Sequence, residues 1–298
     1  MRLLIIFLFL SPFILEAQPG YRVFDFIDPS LKSFSVGTQI GFGSYYGDLC
    51  ATDECYNNLN FSTGLVSTIR LNDYFFFNLN GIYYRIEGSD ALSSNVHRAP
   101  RNLSFRADNF ECSFVGNFEF MNFNSFRFIT RKEFPLSLYT SMGIGFTTNN
   151  PKALYNGKWY NLRQLETERI TYSPIALVIP FGLGIGYRQT ENLNFSLNLG
   201  YRYTFTDYLD DVSTTYANPS EFTNPLALEL QYRGDEVPYG RKGSIRGNPN
   251  SKDGYVMVGF RVEYKIPKVK LDFIGRRSFS KGGDSYKQMR KPATRRNF

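Results

Sequence analysis

The chain has 298 residues, long enough for one large or two ordinary domains, and its single histidine, His97, with three cysteines is too small a ligand set for a zinc site. Its formal charge of +7 is concentrated at one end. From Ile266 to Phe298 there are ten Lys or Arg against Asp272 and Asp284, so that segment holds +8, the remainder holds −1, and a nucleic-acid-binding body loses its electrostatic basis.

The opening "MRLLIIFLFLSPFILEAQ" has one positive charge, an apolar run and a small Ala17, which predicts a secretory signal peptide over 1–17. No cysteine follows that site, which argues against a lipoprotein. Residues 18–33 then read as an N-terminal arm. No later segment has the ~20 consecutive apolar residues of a membrane helix, so residence in a membrane would require strands.

From residue 34 onward a period of two recurs. "FSVGTQIGFGSYY" sets Phe34, Val36, Ile40 and Phe42 against Ser35, Gly37, Gln39, Gly41 and Gly43. "FSTGLVSTIRL" does the same with Phe61, Leu65, Ile69 and Leu71, and "FFFNLNGIYYRI" follows the short turn Asn72-Asp73. "NFECSFVGNFEF" alternates Phe110, Cys112, Phe114, Phe118 and Phe120 with Glu111, Ser113, Asn117 and Glu119, which makes Cys112 an apolar spacer. "LSLYTSMGIGF" comes next, then "IPFGLGIGYRQTENLNFSLNLGYRY", two strands around the turn Thr190-Glu191-Asn192, and last "YVMVGFRVEYK". Alternation over such lengths predicts eight strands, each near the ~9–11 residues that cross an outer membrane at a tilt. Between them no helical period stands out, save a short helix within "LYNGKWYNLRQLETERI".

The connections alternate in length. Those near Asn72, Phe134 and Glu191 are short; those around 46–59, 87–104, 147–173 and 204–253 are long. Short turns on one side and long loops on the other are the habit of outer-membrane barrels. One face of every strand is bulky and apolar, the other Gly, Ser and Asn with scattered charge. A soluble sandwich or lipocalin-like barrel would bury the bulky face and expose charge. Small residues instead suit the crowded lumen of an eight-stranded barrel, and the bulky rows then meet lipid. The lumen would hold Arg70, Glu111, Glu119, Arg188, Arg202, Arg261 and Glu263 as a paired network, since unpaired charge there is costly. Aromatic girdles are expected at Tyr45, Tyr46, Tyr83, Tyr84, Tyr201 and Tyr203 on the outer side and at Tyr74, Phe75, Tyr187 and Tyr264 on the inner side.

Chemistry is sparse. His97 lies near Ser93, Ser94 and Asp90, a trio that a loop-based acyl transferase could use, but one loop histidine among serines reads first as a polar loop. No nucleotide or nucleophile-elbow motif is present. Asp207, Asp210 and Asp211 cluster in "FTDYLDDVSTTY"; three carboxylates are candidate calcium ligands, but the spacing matches no loop motif and favours a hydrogen-bonded loop anchor. Asp48 is expected to cap a turn in the first long loop. Cys50 and Cys55 flank "ATDE" and are candidates for a disulfide in an exported protein. The tail from 266 has too few large apolar residues for a core of its own. Its Lys268, Lys270, Arg276, Arg277, Arg290, Lys291, Arg295 and Arg296 are candidate contacts for an acidic partner.

Two stretches carry a family likeness. "GSYYGDL" (Gly43–Leu49) and "YTFTDYLDDVSTTY" (Tyr203–Tyr216) resemble the PorG-like outer-membrane proteins of Bacteroidetes, and with the strand pattern the likeness covers most of 18–265. The resemblance implies an OmpA/OmpW-like eight-stranded antiparallel transmembrane β-barrel over 34–265, with short periplasmic turns and long extracellular loops, and a basic periplasmic tail over 266–298. It also implies a non-enzymatic role in the type IX secretion and gliding machinery, tying a PorK/PorN-like periplasmic ring to the outer membrane. Expected partners are therefore outer-membrane lipid and those ring proteins, with no nucleic acid and no cofactor. A stand-alone structural or adhesion barrel of OmpA type is the alternative.

Overall fold

The computed structural model describes residues 33–50, 58–92, 101–122, 135–234 and 243–266. The expected signal peptide, all but the last residue of the expected arm, Cys55, the connection near Phe134, His97 with Ser93 and Ser94, and the basic residues beyond Ile266 lie outside the described residues.

Eight long strands form one closed antiparallel barrel: β1 (Ser33–Tyr46), β2 (Asn60–Arg70), β3 (Phe75–Ser89), β4 (Ser104–Asn122), β5 (Leu136–Thr148), β8 (Ile175–Arg188), β9 (Leu193–Thr204) and β10 (Gly254–Ile266). Each pairs with its neighbour in that order, and β1 pairs with β10 to close the ring, so the barrel wall has no free edge. A small hairpin, β6 (Lys152–Tyr155) and β7 (Lys158–Asn161), joins β4 through Arg106↔Lys152. Two ladders are irregular: the register of β4 with β5 shifts between Glu119 and Met121, and a second break lies at a proline. Pairing of β5 with β8 lapses between Met142↔Phe181 and Gly145↔Val178, on either side of Pro180, which has no N–H to donate.

The tight β2–β3 and β8–β9 turns lie at one end with Ser33 and Ile266; the β4–β5 connection at that end, expected to be short, spans 123–135 and is as long as 47–59, which with 90–103, 149–174 and 205–253 joins the strands at the other end. We call these the turn end and the loop end. In the β2–β3 turn the Asn72 carboxamide accepts from the Tyr74 and Phe75 amides. In the β8–β9 turn the Thr190 hydroxyl accepts from the Leu193 amide. Both are side-chain-closed turns of the kind polar residues favour.

Outward positions carry the bulky rows. Ile40, Phe42, Leu65, Leu79, Phe110, Phe114, Met142, Ile144, Leu183, Leu197, Leu199 and Phe260 are all exposed. Cross-strand rings stack within this surface, Phe77 on Phe114 at 5.3 Å and Phe195 on Phe260 at 5.9 Å. From Phe75 to Tyr83 a tilted strand rises roughly 20 Å, close to the apolar band of a membrane barrel. A continuous ring of exposed Leu, Ile and Phe has no stable place in water, so this is a membrane barrel.

The girdles need one correction. Tyr74, Phe75, Tyr187 and Tyr264 ring the turn end, and Tyr83 and Tyr203 the loop end, all exposed. Tyr45 and Tyr84 point inward instead and are fully buried. Successive residues of a strand face opposite sides, so Tyr45-Tyr46 and Tyr83-Tyr84 cannot each place both rings in lipid. β3 and β4 also run past the belt, to Ser89 and from Ser104. Their outward residues there are charged, with Arg85 on Asp108 at 2.7 Å. Hydropathy stops at the membrane border while the hydrogen-bond ladder continues.

The loops hold structure that the pattern of alternation does not announce. Asn156-Gly157, at φ 48° and 76°, turns the β6–β7 hairpin, the left-handed pair that tight hairpins require. Only Leu162–Leu165 of the expected loop helix is helical, capped by Asn161. A second helix, Pro225–Gln231, starts with Asn224 as its cap and Pro225 in its first turn.

Candidate functional site: a sealed loop end and an open cup

The lumen is not uniform. At the turn end it opens into a cup of about 620 Å³ whose lining includes Arg70, Asn78, Glu119, Tyr139, Arg261 and Glu263. Arg70 pairs with Glu119 at 3.0 Å, Arg261 donates to the Gln39 carboxamide at 2.7 Å, and the Thr68 hydroxyl donates to Glu263. Tyr139 lies across the cup. Its hydroxyl donates to Asn198 at 2.5 Å and its ring packs edge-on to Phe76. Gly184 faces that ring so closely that a Cβ there would overlap it, which is the reason for at least one of the small inward residues. Arg188 stands exposed at the mouth of the cup and makes no ion pair among the described residues, so it is not part of the internal network.

Deeper in, Glu111 is fully buried and accepts from Arg202 at 3.4 Å, from the Tyr255 hydroxyl at 2.9 Å and from Ser113 at 2.7 Å. Tyr84 stacks on Tyr255 at 4.5 Å and shares a hydrogen bond with Thr147. Ile82, Ile86, Phe105, Val178 and Met257 continue inward as a hydrophobic core that the loop residues Leu49, Leu103, Leu162, Leu209, Val212 and Leu230 complete. The small-residue rule thus holds for the turn half of the lumen and fails for the loop half.

Over the core sits a polar cap. Arg246, fully buried, donates to Glu168 at 2.8 Å, to the Asp211 carbonyl and to the Gln231 carbonyl, with the Asp211 carboxylate 3.7 Å away. Arg101 grips both oxygens of Asp90 at 2.6 and 2.9 Å and donates to the carbonyls of Asp48 and Arg246. Asp90 also accepts from the Leu103 amide, so both its oxygens are engaged by described residues. The Asp48 carboxylate accepts from the Asn248 amide, 200 residues away, and so staples the first long loop to the last; the loop turn it was expected to cap runs into residues outside those described.

The three clustered aspartates diverge. Asp207 accepts from Ser213, and its other oxygen has no hydrogen-bond partner. Asp210 accepts from the Leu49 and Val212 amides. Asp211, at φ 70°, accepts from Tyr172 and Thr167. Their carboxylates do not converge on a shared point, and no group of His, Cys, Asp and Glu among the described residues is placed to hold a metal ion. They act as loop anchors. Asp253 joins them, accepting from the Tyr45 hydroxyl at 2.8 Å and the Leu209 amide at 2.8 Å.

Burial sets the protonation of the cap. It pushes Asp207 and Asp211 up to about 6, against the opposing pull of Ser213 in the first case and of Arg246, Thr167 and Tyr172 in the second. Burial also holds Asp210 and Asp253 well above the usual carboxylate range, reinforced by the charge of Asp48 in the first case and of Asp210 and Asp207 in the second. Glu168 goes the other way. Burial raises it, but Arg246 with the donors from Ser213 and Thr214 outweighs that and leaves it low. Cys50 is disulfide-bonded and Cys112 is a free thiol on the lipid face; the expected partner Cys55 lies outside the described residues. Glu168 and Arg246, the hub of the cap, were not singled out from the sequence. Nothing local distinguishes them, because the partners of their side chains are 15 to 78 residues away.

Solved structures with a similar fold are membrane barrels. Neisserial surface protein A is 11% identical over 78% of this chain and 97% of its own, with a TM-score of 0.40. The N-terminal β-barrel domain of Pseudomonas aeruginosa OprF is 13% identical over 79% and 99%, TM-score 0.36, and the Pseudomonas aeruginosa outer membrane protein OprG 11% over 79% and 96%, TM-score 0.37. The barrel itself rests on the chain's own strand pairing, not on these distant likenesses. No curated protein matches the sequence. A family model does, over residues 23–224, which takes in β1 to β9 and the "YTFTDYLDDVSTTY" stretch. The chain therefore belongs to the family described as Domain of unknown function (DUF6089).

Proposed function

We propose that this protein is a non-enzymatic outer-membrane barrel that anchors a periplasmic assembly, with the loop end outside the cell and the turn end in the periplasm. One observation carries the reading. Among the described residues the loop half of the lumen is filled by a hydrophobic core under a polar cap, while the turn end opens into a cup beside Ser33 and Ile266. A lumen filled in this way favours an anchor over a conduit, and the chain leaves the barrel wall at the cup end, just before the basic segment. The "GSYYGDL" and "YTFTDYLDDVSTTY" stretches support the finer proposal, that the assembly is the PorK/PorN-like ring of the type IX secretion machinery. In the cap, Asp48 of the first stretch accepts from a backbone amide of the last loop, and Asp207, Asp210 and Asp211 of the second are spent on hydroxyls and amides. These motifs therefore read as cap-building signatures rather than as chemistry. Asp90's engagement with Arg101 is what weighs against a loop enzyme.

The test is crosslinking and affinity isolation of the detergent-solubilised protein, full-length and cut after Ile266. The anchor reading expects ring proteins with the full chain, their loss or weakening with the cut chain, and normal membrane insertion of both. Identical recovery of ring proteins removes the tail from the contact. Absence of ring proteins from both, with a surface-binding defect on loop deletion, establishes the adhesion barrel instead.

A further inference from the structure

The β6–β7 hairpin is two-faced. Its inner face is anchored, with Ala153 in the hydrophobic core and Tyr155 and Tyr160 packed against it. Its outer face pairs Leu154 with Trp159 and is left open, Leu154 being 41% and Trp159 44% exposed. A water-facing hairpin would more naturally turn its largest apolar ring toward its own core. This one buries the tyrosines and presents the only tryptophan of the chain.

The register shows what that face meets. Lys152 pairs with Arg106 of β4, so the outer face of the hairpin continues the outward face of the barrel wall. Below Arg106 on that same face come Asp108 and then Phe110 of the lipid belt. At a tilt of ~40° the step from Phe110 to Arg106 climbs about 10 Å, which from the upper part of the hydrocarbon reaches the headgroup layer, itself about 5–8 Å deep on each side. Trp159 is held there by the Arg106 guanidinium, 4.6 Å from its ring centre. Asp108 and Glu87 are occupied by Arg85 and Arg106. Lys152 makes no ion pair among the described residues and is the cation available to something outside the chain.

We propose that the outer face of this hairpin, Leu154 and Trp159 with Lys152, rests on the headgroup layer of the leaflet at the loop end, Lys152 meeting an anionic headgroup phosphate. An aromatic ring at the interface and a cation above it is the arrangement that polar–apolar boundaries favour. The contact would fix the height of the β3–β4 side of the barrel, where the wall rises past the belt. It rests on the membrane-barrel reading and on no assumption about the periplasmic partner.

Because Trp159 is the sole tryptophan, fluorescence excited at the red edge of its absorption, where the 21 tyrosines of the chain absorb little, reports on this ring. The protein is reconstituted into phosphatidylcholine vesicles with and without phosphatidylglycerol, and insertion is verified by co-flotation. We expect lipids brominated close to the headgroup to remove most of the emission and lipids brominated at the chain ends to leave it. Acrylamide should reach the ring less readily than in the urea-unfolded chain, and less readily still when the anionic lipid is present. Lys152→Gln should abolish that last increment only. Inserted protein whose emission ignores both brominated lipids overturns the proposal. Equal protection with and without phosphatidylglycerol overturns the role given to Lys152. Failure to co-float overturns the membrane reading, and the hairpin contact with it.

Discussion

Replacing Arg246 by alanine should open the cap without dismantling the barrel. The guanidinium is fully buried, sits 2.8 Å from Glu168, contacts the Asp211 carboxylate at 3.7 Å and caps the carbonyls of Asp211 and Gln231. Its removal leaves two buried carboxylates facing one another without a cation, a loss of about 3–5 kcal/mol when one partner of a buried pair is deleted. That corresponds to a rise of roughly two to nearly four orders of magnitude in the population of the open cap. Hydrogen exchange of the protein in vesicles reads it directly. Amides of Ser213 and Thr214, which donate to Glu168, should lose most of their protection, while the β1–β10 ladder keeps its own. Removing both charges, as Arg246→Met with Glu168→Gln, should recover part of the loss, because no uncompensated ion then remains. Unchanged protection in Arg246→Ala, or no recovery in the double variant, would refute the argument that the cap hangs on this pair.

Two other consequences are accessible. Leu183 lies near the middle of the outward row of β8 and is exposed; Leu183→Arg should cost about 2–4 kcal/mol of folding free energy in a bilayer, read as a lower urea midpoint for insertion into vesicles. A midpoint equal to that of the parent would remove this row from the lipid. The cap should also respond to pH. Asp207 and Asp211 rise from 3.8 to about 6 on folding, so the folded cap holds protons that the unfolded loops release. Their contribution is full below about pH 4 and is lost as pH climbs through about 6. Glu168, whose folded value is lowered, contributes in the opposite sense and loses its part only in stronger acid. Protease cleavage within 205–253 should therefore be slower at pH 5 than at pH 8, and Asp207→Asn with Asp211→Asn should flatten that difference.

The two faces of the strands, and hence the barrel, were legible in the linear order of residues. A period of two survives any tertiary context, and lipid outside with a cramped lumen inside is the solvent arrangement that a bulky row opposite Gly, Ser and Asn can satisfy. Local rules also placed the turns at Asn72 and Thr190, and could have found the Asn156-Gly157 hairpin and the helix begun by Asn224-Pro225, each of which carries its own signal. Where alternation fails, as in Ile82-Tyr83-Tyr84, both faces are bulky and the pattern is silent about which ring lies in lipid. That was settled by the pleat, which turned Tyr84 onto Tyr255 and Tyr45 onto Asp253.

The cap was decided by the tertiary structure alone. Glu168, Arg246, Asp48 and Arg101 belong to four separate loop segments, and their meeting depends on barrel closure bringing those segments over one lumen. Short-range periodicity carries no trace of contacts between residues 78 or 200 positions apart. The same closure converted three adjacent aspartates from a set of candidate ligands into anchors that point in different directions.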